Sequence, residues 1–300
     1  MPRRNFFIFT TFKKHFNIDL KHCIYGADVS RSEQRGIANV KRGDLALIWV
    51  YEDKTLYGIF EVEDRMFFDE VDLGWKGKWH YRFPFKLWDG YLRWIPHESK
   101  PKLMSFISDS MTTINDTSDF HTRFVNTLLY DEGSRMLKFF LDTSTKCSPK
   151  SFNPEFADKR IRRKHIDFRD RLALARTKEY VLESYLLQHL EQLEELVGSG
   201  ITELYNQIFV YAKRFMDIMA IHRDADGNIL KTTVLELKTN SNKASIAKAL
   251  DELSHYLYWV NERSFATKKT FLEFCFHPQR KARILTFSMK KQRNQPNYLG

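Results

Sequence analysis

The chain has little cysteine, three residues in 300, and Cys23, Cys147 and Cys275 share no metal-ligand spacing. That scarcity argues against a disulfide framework and against a cysteine-held zinc site. The histidines are dispersed with no pair at ligand spacing, so none is assigned to a metal. No stretch approaches the roughly 20 uninterrupted apolar residues that a membrane helix needs. The opening Met1–Thr10 carries an apolar run too short for a secretory leader, and Lys13-Lys14-His15 closes it off. A soluble, cytoplasmic protein is therefore expected. There is no internal repeat and no low-complexity tract.

What is present is a globular composition, 43% hydrophobic and 29% charged, over a length that suits about two domains. Lys and Arg number 48 against 38 Asp and Glu, a net charge of +10, and the excess is concentrated. Asp158–Arg176 holds eight basic side chains, among them Arg160, Arg162, Arg163 and Lys164, against three acidic ones. From His277 to the end there are six basic side chains and no acid. Such clusters suit a polyanion, because each neutralised phosphate releases a condensed counterion. The planar arginine fork also matches phosphate oxygens.

Up to about Trp94 the pattern is one of short strands. Asn5–Thr11, Asp44–Tyr51, Thr55–Glu63 and Arg82–Trp88 are expected strands, with one early helix over Thr11–His22. Between Lys100 and Pro154 the signals are mixed. Ser118–Leu129 and Ser134–Leu141 are expected to be helical, and Thr143–Ser151, small and polar, to be a linker. Beyond the arginine-rich stretch, Thr177–Leu196 has helical apolar spacing and Gly198-Ser199-Gly200 ends it. Strands follow at Asn206–Tyr211, Phe215–Ile221 and Thr232–Lys238. A helix over Lys243–Val260 and strands at Thr270–Phe276 and Ala282–Met289 complete the order of an α/β sandwich.

Two of these strands carry charge where apolar residues dominate. Asp217 interrupts Phe215–Ile221, and Glu236 and Lys238 lie two apart on Thr232–Lys238, on one face of that strand. An unpaired charge in such a strand is costly. Two clustered carboxylates suit a hard divalent cation such as Mg²⁺. A nearby lysine can orient or deprotonate a water and stabilise an oxyanion. Hydrolysis of a phosphodiester requires this equipment. Glu52-Asp53-Lys54 downstream of Asp44 has similar spacing but falls on a turn.

Residues 177–260 resemble the PD-(D/E)XK nuclease superfamily, specifically the NucS (EndoMS) type of catalytic domain. Leu182-Glu183-Ser184-Tyr185-Leu186 is similar to its opening helix, and Arg214-Phe215-Met216-Asp217, Asp226-Gly227 and Val234–Lys238 to its central motif. The resemblance implies that Asp217, Glu236 and the Leu237 carbonyl ligate Mg²⁺ or Mn²⁺. It further implies that Glu183 acts through water and that Lys238 serves the attacking water. Arg214 joins the basic residues as a backbone contact. The family carries a glutamine and then a tyrosine on the following helix. Tyr256 fits, whereas Glu252 stands where the glutamine aligns.

Residues 5–95 resemble the PUA-like barrels called EVE, YTH and DCD, on Ile24-Tyr25-Gly26, Val40–Trp49, Leu56–Val62, Trp75-Lys76-Gly77-Lys78-Trp79 and Arg82–Trp88. These domains hold a modified or flipped base in an aromatic pocket, which implies Trp75, Trp79, Tyr25, Thr10 and Thr11 as base-binding residues. The expectation is an α+β or α/β two-domain chain. Residues 1–110 form a PUA-like β-barrel reader, 111–176 a helical and basic connector, and 177–300 a PD-(D/E)XK sandwich with a mixed sheet. Its expected activity is metal-dependent endonuclease action on modified double-stranded DNA, with homodimers cutting both strands. The alternatives are a structure- or mismatch-specific endonuclease, or a non-cleaving RNA- or DNA-binding protein with a degenerate nuclease fold.

Overall fold

Six consecutive buried residues, Phe6–Thr11 (β1), form the strand around which the first half of the chain assembles. Alternate side chains leave a strand on opposite faces. Phe7 and Phe9 join an apolar cluster with Phe16, Tyr25 and Phe83, while Phe6 and Ile8 join a second one with Leu103, Ile107 and Phe140. A strand so buried must be covered on both sides, and it is. The computed structural model describes residues 2–28, 33–75, 77–152, 179–210, 214–238, 243–263, 270–276 and 286–288. The arginine-rich run, with Arg160, Arg162, Arg163 and Lys164, lies outside the described residues.

The first sheet is curled and mixed. It comprises β1, β2 (Ile24–Ala27), β3 (Leu45–Val50), β4 (Thr55–Val62), β5 (Phe67–Phe68), β6 (Tyr81–Leu87), β7 (Leu92–Trp94), β8 (Val125–Leu128) and β9 (Thr145–Cys147). Its main path runs β2-β6-β4-β3-β1-β8, with β5 on β6, β7 on β4 and β9 on β7. Among its described strand pairs, only β1 and β3 run parallel. Helices α1 (Lys13–His22) and α2 (Glu33–Ala38) supply one apolar layer, and α3 (Lys100–Ser110) and α5 (Tyr130–Thr143) the other; α4 (Asp119–Thr122) and α6 (Pro149–Phe152) are single turns. Packing against α5 is close. A Cβ on Gly133 would stand 2.2 Å from the Phe6 ring, so only glycine fits there. Ser118–Leu129, expected as one helix, divides into α4 and strand β8. The expected linker Thr143–Ser151 instead supplies β9 and part of α6.

The second half is a three-layer unit. The strands β10 (Glu203–Val210), β11 (Arg214–Arg223), β12 (Ile229–Lys238), β13 (Thr270–Phe276) and β14 (Thr286–Ser288) lie in chain order. β12 and β13 are parallel, connected through α9 (Lys243–Glu262); the other pairs are antiparallel. Ile218, Ala220, Leu235 and Leu237 face helices α7 (Glu179–Gln188) and α8 (Leu190–Val197). Met219, Ile221 and Val234 face Ala249, Leu253, Tyr256 and Trp259 of α9. The helix expected over Thr177–Leu196 breaks at His189, whose φ of −117° and ψ of 76° are not helical. Its N–H closes α7 on the Tyr185 carbonyl, and its own carbonyl accepts Gln192 and Leu193 N–H to start α8. Both backbone groups of His189 therefore stay bonded across the break.

The two halves share a seam. Arg3 N–H donates to the Thr202 carbonyl at 2.7 Å, and Asn39 Nδ2 to the Leu204 carbonyl at 2.9 Å. Glu203 accepts from Arg3, Arg223 and the Tyr205 hydroxyl, whose oxygen in turn accepts Tyr130 N–H. A single apolar cluster runs from Phe9 and Ile37 through Leu186 to Ile218. Among the described residues no helix is long and apolar enough to cross a membrane.

Candidate active site

The ladder between β11 and β12 runs from Ile218↔Leu235 to Arg223↔Ile229 and goes no further. Before Ile218, β11 keeps β10 as its partner; beyond Leu235, β12 keeps β13. The strands therefore part in a fork, and Asp217 and Glu236 are the first residues on its two arms. Strand alternation puts Asp217 with Met219, and Glu236 and Lys238 with Val234, on the α9 face. From α9, Glu252 and Tyr256 meet them one turn apart.

Asp217 anchors the crotch, its Oδ2 accepting Leu237 N–H at 2.9 Å. Lys238 Nζ donates to Glu236 Oε1 and lies 3.0 Å from Glu252 Oε2. Tyr256 closes the floor, its hydroxyl donating to the Phe215 carbonyl at 2.7 Å. Glu183, fully buried on α7, is reached by Asn206 Nδ2 at 3.1 Å and by Gln207 Nε2 at 3.0 Å. The same Gln207 nitrogen is 3.3 Å from Asp217 Oδ1. One amide thus bridges a carboxylate of the sheet and one of the α7 layer. Gln207 holds a left-handed φ of 52°, an uncommon conformation for a side chain of this kind.

The electrostatics follow from crowding. Burial, then the Asp217 charge, push Glu236 up to about 9, against the pull of Lys238. Burial works to lower the Lys238 ammonium, but Glu236 and Glu252 outweigh it and hold it above its ordinary value. Burial raises Glu252 as well, yet its contacts with Glu236 and Lys238 win and its carboxyl is lowered. The Tyr256 phenol is raised by burial and then by Glu236 and Asp217. Glu236 Oε2 is buried without a hydrogen-bond partner. An orphaned carboxylate oxygen beside a second carboxylate fits a hard cation better than it fits a plain ion pair. Among the described residues no three His, Cys, Asp or Glu side chains form a cage for an ion. A cation here would need backbone oxygen and water besides Asp217 and Glu236.

Of the basic residues expected at a phosphate backbone, Arg214 is described, and its Nη1 pairs with Asp251 at 2.9 Å. The five candidate base-binding residues scatter by role. Tyr25 lies in the core, stacked on Phe83, its hydroxyl donating to the Thr10 carbonyl at 2.9 Å. Thr10 Oγ1 donates to the Phe120 carbonyl. Trp75 is buried, with its ring against Gly26, where a Cβ would stand 3.2 Å away; Arg82 lies 4.8 Å from the ring centre. Trp75 Nε1 donates to Asp19 Oδ1 at 3.2 Å, and Thr11 also bonds that carboxyl. Trp79, half-buried, meets His15 edge-on at 4.8 Å. Burial raises Asp19 well above the usual carboxylate range, more than these two donors lower it. It also lowers His15, with Lys14 adding to the effect.

No family model matches the chain, and no curated protein matches it. Among solved structures, the chain is similar to a YTH domain-containing protein, mmi1, in complex with RNA. The identity is 17% over 46% of this chain and 82% of that one, with a TM-score of 0.33. A second structure of the Mmi1 YTH domain with RNA is 16% identical over 52% of this chain and 85% of that one, again at 0.33.

Sequence reasoning missed Gln207, Asn206, Asp19 and His15. The signal for the first two was an Asn-Gln pair inside a strand that is otherwise mostly apolar. For Asp19 it was an acid between buried residues of α1, where Phe16 and Leu20 also point inward. His15 carried no sequence signal.

Proposed function

We propose that this chain is a metal-dependent endonuclease. Its N-terminal half, as a PUA-like barrel, reads a modified base in double-stranded DNA, and its C-terminal half hydrolyses phosphodiester bonds as a PD-(D/E)XK-type sandwich. The observation that carries the reading is the fork, where Asp217, Glu236, Lys238 and Glu183 converge from two strands and a helix. Asp217, Glu236 and the Leu237 carbonyl would hold Mg²⁺ or Mn²⁺. Bound there, the ion would offset phosphate charge and lower the pKa of a water.

The side chains divide the remaining work. Lys238, held cationic by two carboxylates, is suited to stabilise negative charge developing on phosphoryl oxygens and to orient the water. It is poorly suited to be the base. Gln207 keeps Glu183 and Asp217 at a fixed separation, and Tyr256 fixes the floor through Phe215. Cutting both strands with one such site per chain calls for a homodimer. Fusion of reader to cutter raises the local concentration of scissile phosphates near a marked base.

The test is cleavage of one plasmid in unmodified, methylcytosine, hydroxymethylcytosine and methyladenine forms, with Mg²⁺ or Mn²⁺. Cutting of one modified form, lost in Asp217→Ala, is the expected result. Cutting of every form would remove the reader. Binding without cutting of any form would return the chain to a nucleic-acid-binding role with an idle fork.

A further inference from the structure

At the seam between the two sheets lies an open cleft of about 480 Å³. Its floor is apolar, from Val40, Leu187 and Leu204, and its rim is basic, from Arg4, Arg42 and Arg65 with Lys41 beside them. Among the described residues no acidic side chain lines it. Lys41 is committed to the buried Asp44, 3.4 Å away. Among the described residues, Arg4, Arg42 and Arg65 are exposed and enter no ion pair. Gln188, also in the lining, has a buried Nε2 that donates to nothing.

Three guanidinium groups that repel one another, with no acid among them, leave a positive potential that an anion would neutralise. Their planar forks favour phosphate oxygens. The two walls come from different halves of the chain. Leu187 stands one turn beyond Glu183 on α7, about 6 Å along the axis, which is about two nucleotides of rise. Leu204 lies two residues before Asn206 on β10. The helix and the strand that line the cleft are the ones that serve the fork.

We infer that this cleft is a second nucleic-acid contact, holding phosphodiester groups of the duplex that the fork cuts. The inference rests on the nuclease reading above. It assigns the contact to residues far in sequence from both arginine-rich segments.

The experiment is equilibrium binding of a fluorescent DNA duplex, without divalent metal, over a salt series. The Arg4→Gln/Arg42→Gln/Arg65→Gln variant is compared with a control of equal charge loss, Lys102→Gln/Lys138→Gln/Lys150→Gln, whose lysines are exposed outside the cleft. The cleft variant should weaken binding and flatten the slope of log K against log salt by about 0.9 for each phosphate that is no longer neutralised. Equal slopes in the two variants would overturn the inference. If the cleft variant binds and cuts as the unsubstituted protein does, the inference fails and the nuclease reading stands. If the unsubstituted protein binds no duplex, both fail together.

Discussion

Two buried glutamates, one in each half of the molecule, show opposite ways of treating a carboxylate. Glu132, at the start of α5, accepts from the backbone and hydroxyl groups of both Thr112 and Thr113 and from Leu129 N–H. Glu236, at the fork, has Lys238 on one oxygen and no hydrogen bond on the other. Five donors make the first a structural joint. Burial and crowding with Asp217 leave the second unsettled. Burial alone therefore does not tell the two carboxylates apart; the count of donors does.

That contrast can be broken most sharply by exchanging the tests. Glu236→Ala should cut phosphodiester cleavage by roughly 10³-fold. Its melting temperature should not fall, because Lys238 keeps Glu252 as a partner. Glu132→Ala should do the reverse, losing roughly 3 kcal/mol of unfolding free energy as buried donors go unpaired. Its cleavage per folded molecule should not change. Denaturant melts and turnover measured on the same preparations would decide, and a stability loss in Glu236→Ala as large as in Glu132→Ala would erase the distinction.

Gly133→Ala should cost about 2 kcal/mol, because the added Cβ runs into the Phe6 ring and the first core must shift to take it. A neutral result in a denaturant melt would mean that this core is looser than its packing indicates. The smallest effect concerns Asp44, which accepts Asn5 and Lys41 N–H yet is pushed by burial from 3.8 up to about 6. Between about pH 4 and 6 the folded state holds a proton that the unfolded chain has lost, so this group's contribution to stability falls as pH rises through that window. Relative to the unsubstituted protein, Asp44→Asn should flatten the dependence of melting temperature on pH by about 3 °C across it. Parallel profiles would show that the donors already compensate for the burial.

The sequence made the strands of the fork legible because they are apolar on both faces and a charge stands out in them. Asp217 lies between the buried Met216 and Ile218, and Glu236 between the buried Leu235 and Leu237, with Lys238 next along. Gln207 was hidden because its place opposite Asp217 is set by strand pairing rather than by spacing along the chain. Ser118–Leu129 misled for another reason. Phe120, Phe124 and Leu128 recur every four residues and imitate a helix, although only the first sits on one. Thr145–Cys147 looked like a linker because an edge strand pairing only with β7 needs no apolar stripe. Both misreadings fall where tertiary pairing outweighs local pattern.

The bonded seam at Thr202–Leu204 also has a metrical consequence. Hinged halves would let a cutter sample a spread of distances from the base that recruits it. Here hydrogen bonds, the Glu203 cluster and a shared apolar core tie the strand next to the fork to the opening of β1 and to the end of α2. With the function proposed above, a molecule built this way would work as a ruler: the scission point would fall at a set offset from the mark, and digestion of a singly marked duplex would give one fragment length instead of a ladder.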